Sequence, residues 1–353
     1  MTARPGLRTA VIGAGHLGRF HARVHAEIPD IDLRYVVDID PARAADVAAT
    51  YGGEARTDPR RVLGEVDAVS VVTPTVTHHA IARDFLDAGV SVLVEKPMTV
   101  TVQEADELIG LAEDRGAKLQ VGHIERFNPA YRAIRDVLRA PAFIECHRLS
   151  PYPFRSTDVS VVLDLMIHDL DLILDVAGGP PASIEAAGVA ILSPETDIAN
   201  ARIRFERPGG GPGCIANVTA SRVSPRPLRR MRVFQADCYV SMDFLEKRVH
   251  AFRKRPGLDV AALDAEALGR IRQMPGDAAL ARLLDIRRMD IGPTDALKDE
   301  VRAFADAVLE DTEPQVTGVH GRRALALAAA IDDDIRRFLA ERAAPPPADS
   351  ALA

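Results

Sequence analysis

The sequence predicts an α/β protein: an N-terminal doubly wound parallel sheet, then an α+β domain built on a large, mostly antiparallel open sheet. Three observations carry this. Val-rich runs alternate with helical patterns over the first ~125 residues. A glycine-rich turn joins the first run to the first helix. Beyond about Phe143, alternating segments separated by Gly and Pro take over.

Taken in order, the strands expected in the first half are Thr9–Ile12, Leu33–Val37, Ala68–Val72, Ser91–Val94 and Lys118–Val121. They carry few polar residues, as strands covered on both faces do. Between the first two, Leu17, Phe20, Val24 and Ile28 recur at helical spacing and predict one apolar face, stopped by Pro29. On that reading His21 and His25 occupy a solvated face beside Arg19 and Arg23. Helices are also expected at Ile81–Ala88 and Val102–Arg115, the latter closed by Gly116. Further on, a buried helix is expected at Val161–Val176, with strands near Ile184–Ala190, Ala199–Phe205, Cys214–Ser221, Met231–Gln235 and Tyr239–Phe244. Pro256–Pro293 reads as a loosely packed helical excursion, followed by helices Asp295–Leu309 and Arg322–Glu341. The domain expectation is therefore 1–125 for the nucleotide fold and 126–342 for the second domain, with a disordered tail at 343–353.

Length and composition agree. The 353 residues suit two domains, and 47% hydrophobic with 27% charged residues is an ordinary globular balance. The formal charge of −7 argues against nucleic acid as a partner. No apolar run reaches a bilayer's thickness, so no membrane partner is expected. Cys146, Cys214 and Cys238 are widely spaced and odd in number, which fits reduced thiols in the cytoplasm.

Gly13-Ala14-Gly15-His16-Leu17-Gly18 follows the first strand directly and opens the first helix, and Asp38 lies 20 residues past Gly18. Gly13 permits the turn, Gly15 lets backbone approach a pyrophosphate, and Gly18 lets helix and strand pack closely. The helix N-terminus then receives the phosphates. Asp38 can accept from the ribose hydroxyls and would repel a 2′-phosphate, which favours NAD over NADP. After the fourth strand, Glu95-Lys96-Pro97 places Lys96 beyond a strand's carboxyl end, where open α/β sheets bind ligands. In the second half, Asp164, His168 and Asp171 fall on one stripe of an otherwise apolar helix. Three titratable groups there need a cavity or a polar network. No metal site is expected from them.

With these motifs in this order, the chain resembles the Gfo/Idh/MocA family of NAD(P)-dependent sugar and polyol dehydrogenases. The resemblance includes Thr73-Pro74 with His78, Glu95-Lys96-Pro97, Asp164 with His168, and Pro314–Leu325. It implies that Lys96, Asp164 and His168 are catalytic, that Thr73, Pro74 and Glu95 line the cofactor pocket, and that His78 holds its loop. His16 and Leu17 belong to the cofactor loop. The segments Val121–Pro129 and Asp164–Asp169 are similar to those of a narrower group that oxidises the 3-hydroxyl of UDP-N-acetylglucosamine. In that group an aminotransferase consumes the keto product on the way to 2,3-diamino sugars of some lipid A molecules. Glu125 stands where many members acting on free sugars or inositol carry arginine. A UDP-sugar is therefore the expected substrate, with Arg126 and Arg155 as partners for its diphosphate. Asn128, Lys96 and His168 complete the expected substrate set. Another sugar, a UDP-sugar uronate or a polyol is the alternative, and a non-catalytic dinucleotide-binding regulator is a second. An open sheet needs its face covered, so a homodimer or homotetramer is expected.

Overall fold

The computed structural model describes residues 6–153, 159–207, 209–210, 212–258, 263–292 and 294–343. The chain forms two compact units: Met1–Phe127 with Thr294–Ala329, and Asn128–Pro293 with Ala330–Ala353.

The first unit is the expected doubly wound sheet. Its elements are β1 (Leu7–Ile12), α1 (His16–Glu27), β2 (Ile31–Val37), α2 (Pro41–Tyr51), β3 (Glu54–Arg56), β4 (Ala68–Val71), α3 (Thr75–Asp87), β5 (Ser91–Glu95), α4 (Val102–Arg115) and β6 (Leu119–Gly122). The strands are ordered β3-β2-β1-β4-β5-β6 and all pair parallel. Every residue of β4 and β6 is buried, which explains their uniform apolar runs. The three-residue edge strand β3 gave no periodic signal, being short, polar and half-exposed. Thr101 and Glu104 form a reciprocal capping box on α4, and Gly116 closes it in the left-handed region.

Helix α1 turns a different face to the sheet from the one its apolar residues predict. Leu17 and Phe20 are 51% and 43% exposed, whereas His21 and His25 are each 1% exposed. The solvated-face expectation for the two histidines is thus corrected. Both are buried because each finds a partner. His25 Nδ1 lies 2.8 Å from Thr9 Oγ1 and its Nε2 lies 2.9 Å from Ser70 Oγ. Hydroxyls can donate or accept, so a neutral ring is fully served. Burial, then the neighbouring His21, pushes the His25 pKa down to about 3.

The second unit carries α5 (Pro129–Arg132), β7 (Phe143–Leu149), α6 (Ile167–Val176), β8 (Pro181–Val189), β9 (Ile198–Glu206), β10 (Pro212–Ser221), β11 (Leu228–Phe234), β12 (Cys238–Asp243), β13 (Arg248–Lys254), α7 (Ala265–Arg272), α8 (Gly276–Leu283) and β14 (Leu284–Asp290). The eight strands are ordered β14-β13-β12-β11-β7-β10-β9-β8, and only β7 with β10 is parallel. The stretch expected as a helical excursion does contain α7 and α8, but it ends in β14, which pairs β13 over seven residues. Its charged, sparsely apolar pattern concealed an edge strand.

The contiguous domain boundary is also corrected. Helix α9 (Ala296–Leu309) and the first part of α10 (Gly318–Ala343) belong to the first unit. Val301, Phe304 and Ala305 enter the cluster built from Val24, Ile28 and Leu93. Arg23–Asp295, Lys298–Glu27 and Arg302–Asp30 pairs flank that contact. An amphipathic helix declares that it has a partner, not which one. Residues 344–353, most of the expected tail, lie outside the described residues.

The second unit contains a fully buried ion pair, Asp197 with Arg222. Asp197 accepts from the amides of Ile191, Leu192 and Ser193 at 2.6–3.0 Å, from the Ser193 hydroxyl at 2.6 Å and from Arg222 Nε at 2.8 Å. Burial pushes its carboxyl up, but these donors outweigh it and hold the group well below the usual carboxylate range. Arg222→Leu should leave that carboxylate buried without its cation and destabilise the unit by about 3–5 kcal/mol, measured by urea unfolding. The His25 shift predicts a second effect. Between pH 6.5 and 3 the unfolded chain binds the proton that folded His25 refuses, so its contribution is complete above 6.5 and lost as pH falls. His25→Gln should lower the stability difference between pH 7 and pH 5 by about 2 kcal/mol.

Candidate active site

The turn from β1 to α1 is set by backbone contact. Gly13 has φ +99°, and a Cβ on it would stand 2.4 Å from the Val72 carbonyl oxygen. A Cβ on Gly18 would stand 1.9 Å from the Gly13 carbonyl oxygen. Gly15 differs: no protein atom lies within 4 Å of its Cβ position, so packing within the chain does not demand glycine there. The backbone at Gly15 is open to an approaching ligand. No side chain caps the α1 N-terminus, which leaves its first amides and positive dipole end to an anion. His16 is exposed and stands edge-on to Phe20, with ring centroids 5.2 Å apart.

Asp38 follows β2 and is buried. Its Oδ2 accepts from Ala14 N at 2.8 Å and its Oδ1 from Asp40 N at 2.9 Å, which locks it beside the turn. Carboxylate oxygens have capacity beyond these two bonds for ribose hydroxyls. Arg43 Nη1 lies 3.5 Å from Asp38 Oδ2. Proximity in sequence did not single it out, since it sits on the first turn of α2, five residues on. These residues fit a dinucleotide with two free ribose hydroxyls.

The ends of β4 and β5 are tied to each other by His78 on α3. Its Nε2 lies 2.8 Å from the Thr73 carbonyl oxygen and its Nδ1 2.9 Å from that of Pro97. Both partners accept only, so both ring nitrogens must donate to fill both bonds. Burial lowers the pKa, and the two carbonyls and Glu95 offset this in part. His78 therefore ties the Thr73-Pro74 loop to Pro97. Glu95 accepts from His21 Nε2 at 3.0 Å and from Lys96 N at 3.2 Å. Burial raises the Glu95 pKa, but His21 and Lys96 outweigh it, and the net direction is down. Lys96 is half-buried and joined to Pro97 by a cis peptide bond.

In the second unit, Asp164 lies in a π-helical turn, Val162–Met166, that leads directly into α6, where His168 sits on the first turn. Both side chains are half-buried. The regular α-helical stripe through Asp164, His168 and Asp171 is therefore revised. The wider turn changes the angle between Asp164 and the rest, and Asp171 is buried at 1% exposure. Ser160 supports the turn: its carbonyl accepts from Asp164 N at 3.0 Å, and its hydroxyl accepts from Leu163 N and donates to Asp332. Asp169 makes a buried two-pronged pair with Arg148 of β7 at 2.9 Å for each bond. Sequence reasoning missed both, because each joins residues far apart in the chain.

Arg126 is buried on the turn Ile124–Phe127 rather than lying on the surface. Asn128 caps the short helix α5. Its Oδ1 accepts from Ala130 N and its Nδ2 donates to the Phe244 carbonyl at 3.4 Å. An asparagine before proline is a cap signal. Arg155 lies outside the described residues. Within the first unit, hydrogen bonds join Asp38 to the glycine turn, Thr73 to Pro97 through His78, and α1 to Glu95 beside Lys96 through His21. Asp164 and His168 belong to the second.

Residues 7–123 match the oxidoreductase family with the NAD-binding Rossmann fold, and residues 140–237 match the GFO/IDH/MocA C-terminal domain. The chain belongs to the Gfo/Idh/MocA family of oxidoreductases. It is 40% identical over 334 residues to UDP-N-acetylglucosamine 3-dehydrogenase of Acidithiobacillus ferrooxidans, covering 94% of this chain and 98% of that one. A solved structure of that enzyme superposes with a TM-score of 0.83 at 39% identity, over 95% of this chain and 99% of the other. An inositol 2-dehydrogenase of Rhizobium meliloti is 26% identical over 345 residues, 94% of this chain and 96% of its own.

As a member of this NAD-binding family, the protein should bind NAD more tightly than NADP. Asp38→Ala should weaken NAD by tenfold or more, about 1.4 kcal/mol, and narrow the preference, since Arg43 would then face a 2′-phosphate alone. Fluorescence titration with both nucleotides checks this. A wild type that prefers NADP overturns the role given to Asp38.

Proposed function

We propose that the protein oxidises the 3-hydroxyl of UDP-N-acetylglucosamine with NAD, giving the 3-keto nucleotide sugar. The observation that carries this reading is near full-length similarity, 40% identical, to an enzyme of that name. The inositol dehydrogenase, similar over as much of the chain at 26% identity, is the weaker guide, and so is a free polyol. A non-catalytic regulator would have no use for Lys96, Asp164 and His168 together.

Oxidation of a secondary alcohol needs a base for the hydroxyl proton and stabilisation of the developing alkoxide. NAD, when bound, accepts the hydrogen from carbon with its electron pair. His168 takes the hydroxyl proton as general base, since an imidazole titrates near neutral pH. Lys96, as ammonium, donates a hydrogen bond to the same oxygen. Asp164 orients the His168 ring or balances the Lys96 charge. Glu95 fixes the backbone of Lys96, while Thr73, Pro74 and His78 shape the loop beside the cofactor. Arg126 and Arg155 serve the diphosphate, because the guanidinium fork matches phosphate oxygens.

The product is a ketone beside an N-acetyl group, suited to a PLP-dependent aminotransferase and hence to 2,3-diamino sugars of the lipid A type. Three free, buried cysteines support a reducing, cytoplasmic setting. Among the described residues no helix is long and apolar enough to cross a membrane. A homodimer or homotetramer would cover the open sheet. Phe143, Phe234, Tyr239 and Phe252 form a half-buried row in register across β7, β11, β12 and β13, with ring centroids 4.8–5.6 Å apart. Beside it runs a mixed-charge row including Glu145, Arg232 and Arg288, suited to a second copy of itself.

The test follows NADH formation with UDP-N-acetylglucosamine, free N-acetylglucosamine, UDP-glucuronate and myo-inositol. The nucleotide sugar should win by at least about 100-fold in kcat/KM over free N-acetylglucosamine, because remote binding energy positions the reacting carbon. Lys96→Ala and His168→Ala should lose about 100-fold or more in kcat while binding NAD nearly normally. Efficient oxidation of free sugar or inositol would overturn the substrate, and near-normal turnover in either variant would overturn its catalytic role.

A further inference from the structure

We propose that His21 is a positioning residue for Lys96, linking the helix behind the phosphate turn to the turn that carries the lysine. The inference rests on the catalytic reading of Lys96 for its kinetic consequence, not for its structural one. His21 lies three residues past Gly18 on α1 and is 1% exposed. Its Nε2 stands 3.0 Å from Glu95 Oε1, and Glu95 Oε2 accepts from Lys96 N at 3.2 Å. The carboxylate therefore has one oxygen on α1 and the other on the lysine's own backbone. Gly122 on β6 makes room for it, since a Cβ there would meet the carboxyl group at 3.0 Å.

The tautomer follows from the surroundings. His21 Nδ1 is buried with no hydrogen-bond partner. A proton on it would be an unsatisfied donor, whereas a proton on Nε2 fills the bond to Glu95. Without that donor, a largely buried carboxylate loses a principal partner and must move toward water or take up a proton. Movement releases the Lys96 amide, and protonation weakens the bond to it by removing the charge on the acceptor. Burying a histidine on α1 where an apolar residue would pack more simply is accounted for by this bond.

Two readouts test the proposal. The first needs no substrate. In the cofactor-free protein, the rate at which acetic anhydride labels Lys96 is followed by mass spectrometry, with Lys118 and Lys298 as internal references. His21→Leu should change the Lys96 rate by threefold or more relative to the references. His21→Asn, too short to reach Glu95, should do the same and serves if the leucine variant does not fold. His21→Gln, whose amide can still donate, should stay within twofold of wild type. The second readout is turnover: His21→Leu should lower kcat about 100-fold, the scale of a small misplacement of a catalytic group, with NAD affinity within threefold and His21→Gln largely restored. Unchanged labelling in both His21→Leu and His21→Asn overturns the proposal. So does a glutamine variant as impaired as leucine, or a kcat loss accounted for by lost NAD binding. If Lys96→Ala retains turnover, the catalytic reading fails instead, and the labelling result still decides the structural link.

Discussion

Helix α1 lies where it does because Gly18 has no Cβ: the atom would stand 1.9 Å from the Gly13 carbonyl oxygen. That approach sets the height and rotation of the whole helix over the sheet, and much of the first unit's polar interior follows from it. It brings Val24 and Ile28 into the core with Leu93 and Phe304. It aims His25 between the hydroxyls of Thr9 on β1 and Ser70 on β4, and His21 at Glu95 at the end of β5. Any side chain at Gly18 would lift the helix and break these bonds together. Packing at Gly18 also places the uncapped N-terminal amides of α1, because both belong to one rigid helix.

The second unit solves a related problem differently. The helix that carries His168 is entered through a π turn, a geometry that persists where neighbours hold it. Here the neighbours are buried polar groups. Arg222, itself held by Asp197, donates to the Val159 carbonyl at 2.7 Å; Thr196 accepts from Val161 N at 2.8 Å; Asp332 receives the Ser160 hydroxyl at 2.7 Å. Three consecutive residues before Asp164 are thus tied to different parts of the unit. Burial raises the Asp332 pKa, and its serine partner offsets this only in part. A fully satisfied network of this kind fixes one arrangement of the backbone where an apolar core would allow several.

What could be read in the sequence divides along the same line. The glycines, Asp38, Lys96 and the strand order's raw material were legible because each leaves a local mark: a turn, a strand end, an alternation. The burial of His21 and His25 was not, because Leu17 and Phe20 at helical spacing argue for another face, and only the tertiary approach at Gly18 decides between them. The π turn was illegible for the same reason, since its supports lie at Asp197, Arg222 and Asp332. Helix α9 showed its amphipathic stripe but not its destination, and β14 paired despite a charged pattern because β13 offered it an open edge. Asn128 carries a local mark of another kind: the Asn-Pro pair already states its work as a cap.

The concentration of buried polar groups around Glu95-Lys96-Pro97 matches what the proposed mechanism asks of a lysine on a loop. A flexible ammonium can reach an alkoxide oxygen from many positions, but it stabilises the transition state well only if its backbone is already placed. Apolar packing cannot supply that placement at a strand's carboxyl end, where the backbone must stay open to a cofactor. Directional bonds can. Glu95 grips the Lys96 amide from one side through a carboxylate held by His21, and His78 grips the Pro97 carbonyl from the other. Because His21 belongs to the helix behind the glycine turn and His78 reaches back to Thr73, both grips are anchored in elements of the NAD-binding Rossmann fold. The turn bearing the lysine is thus fixed to the frame that receives the dinucleotide.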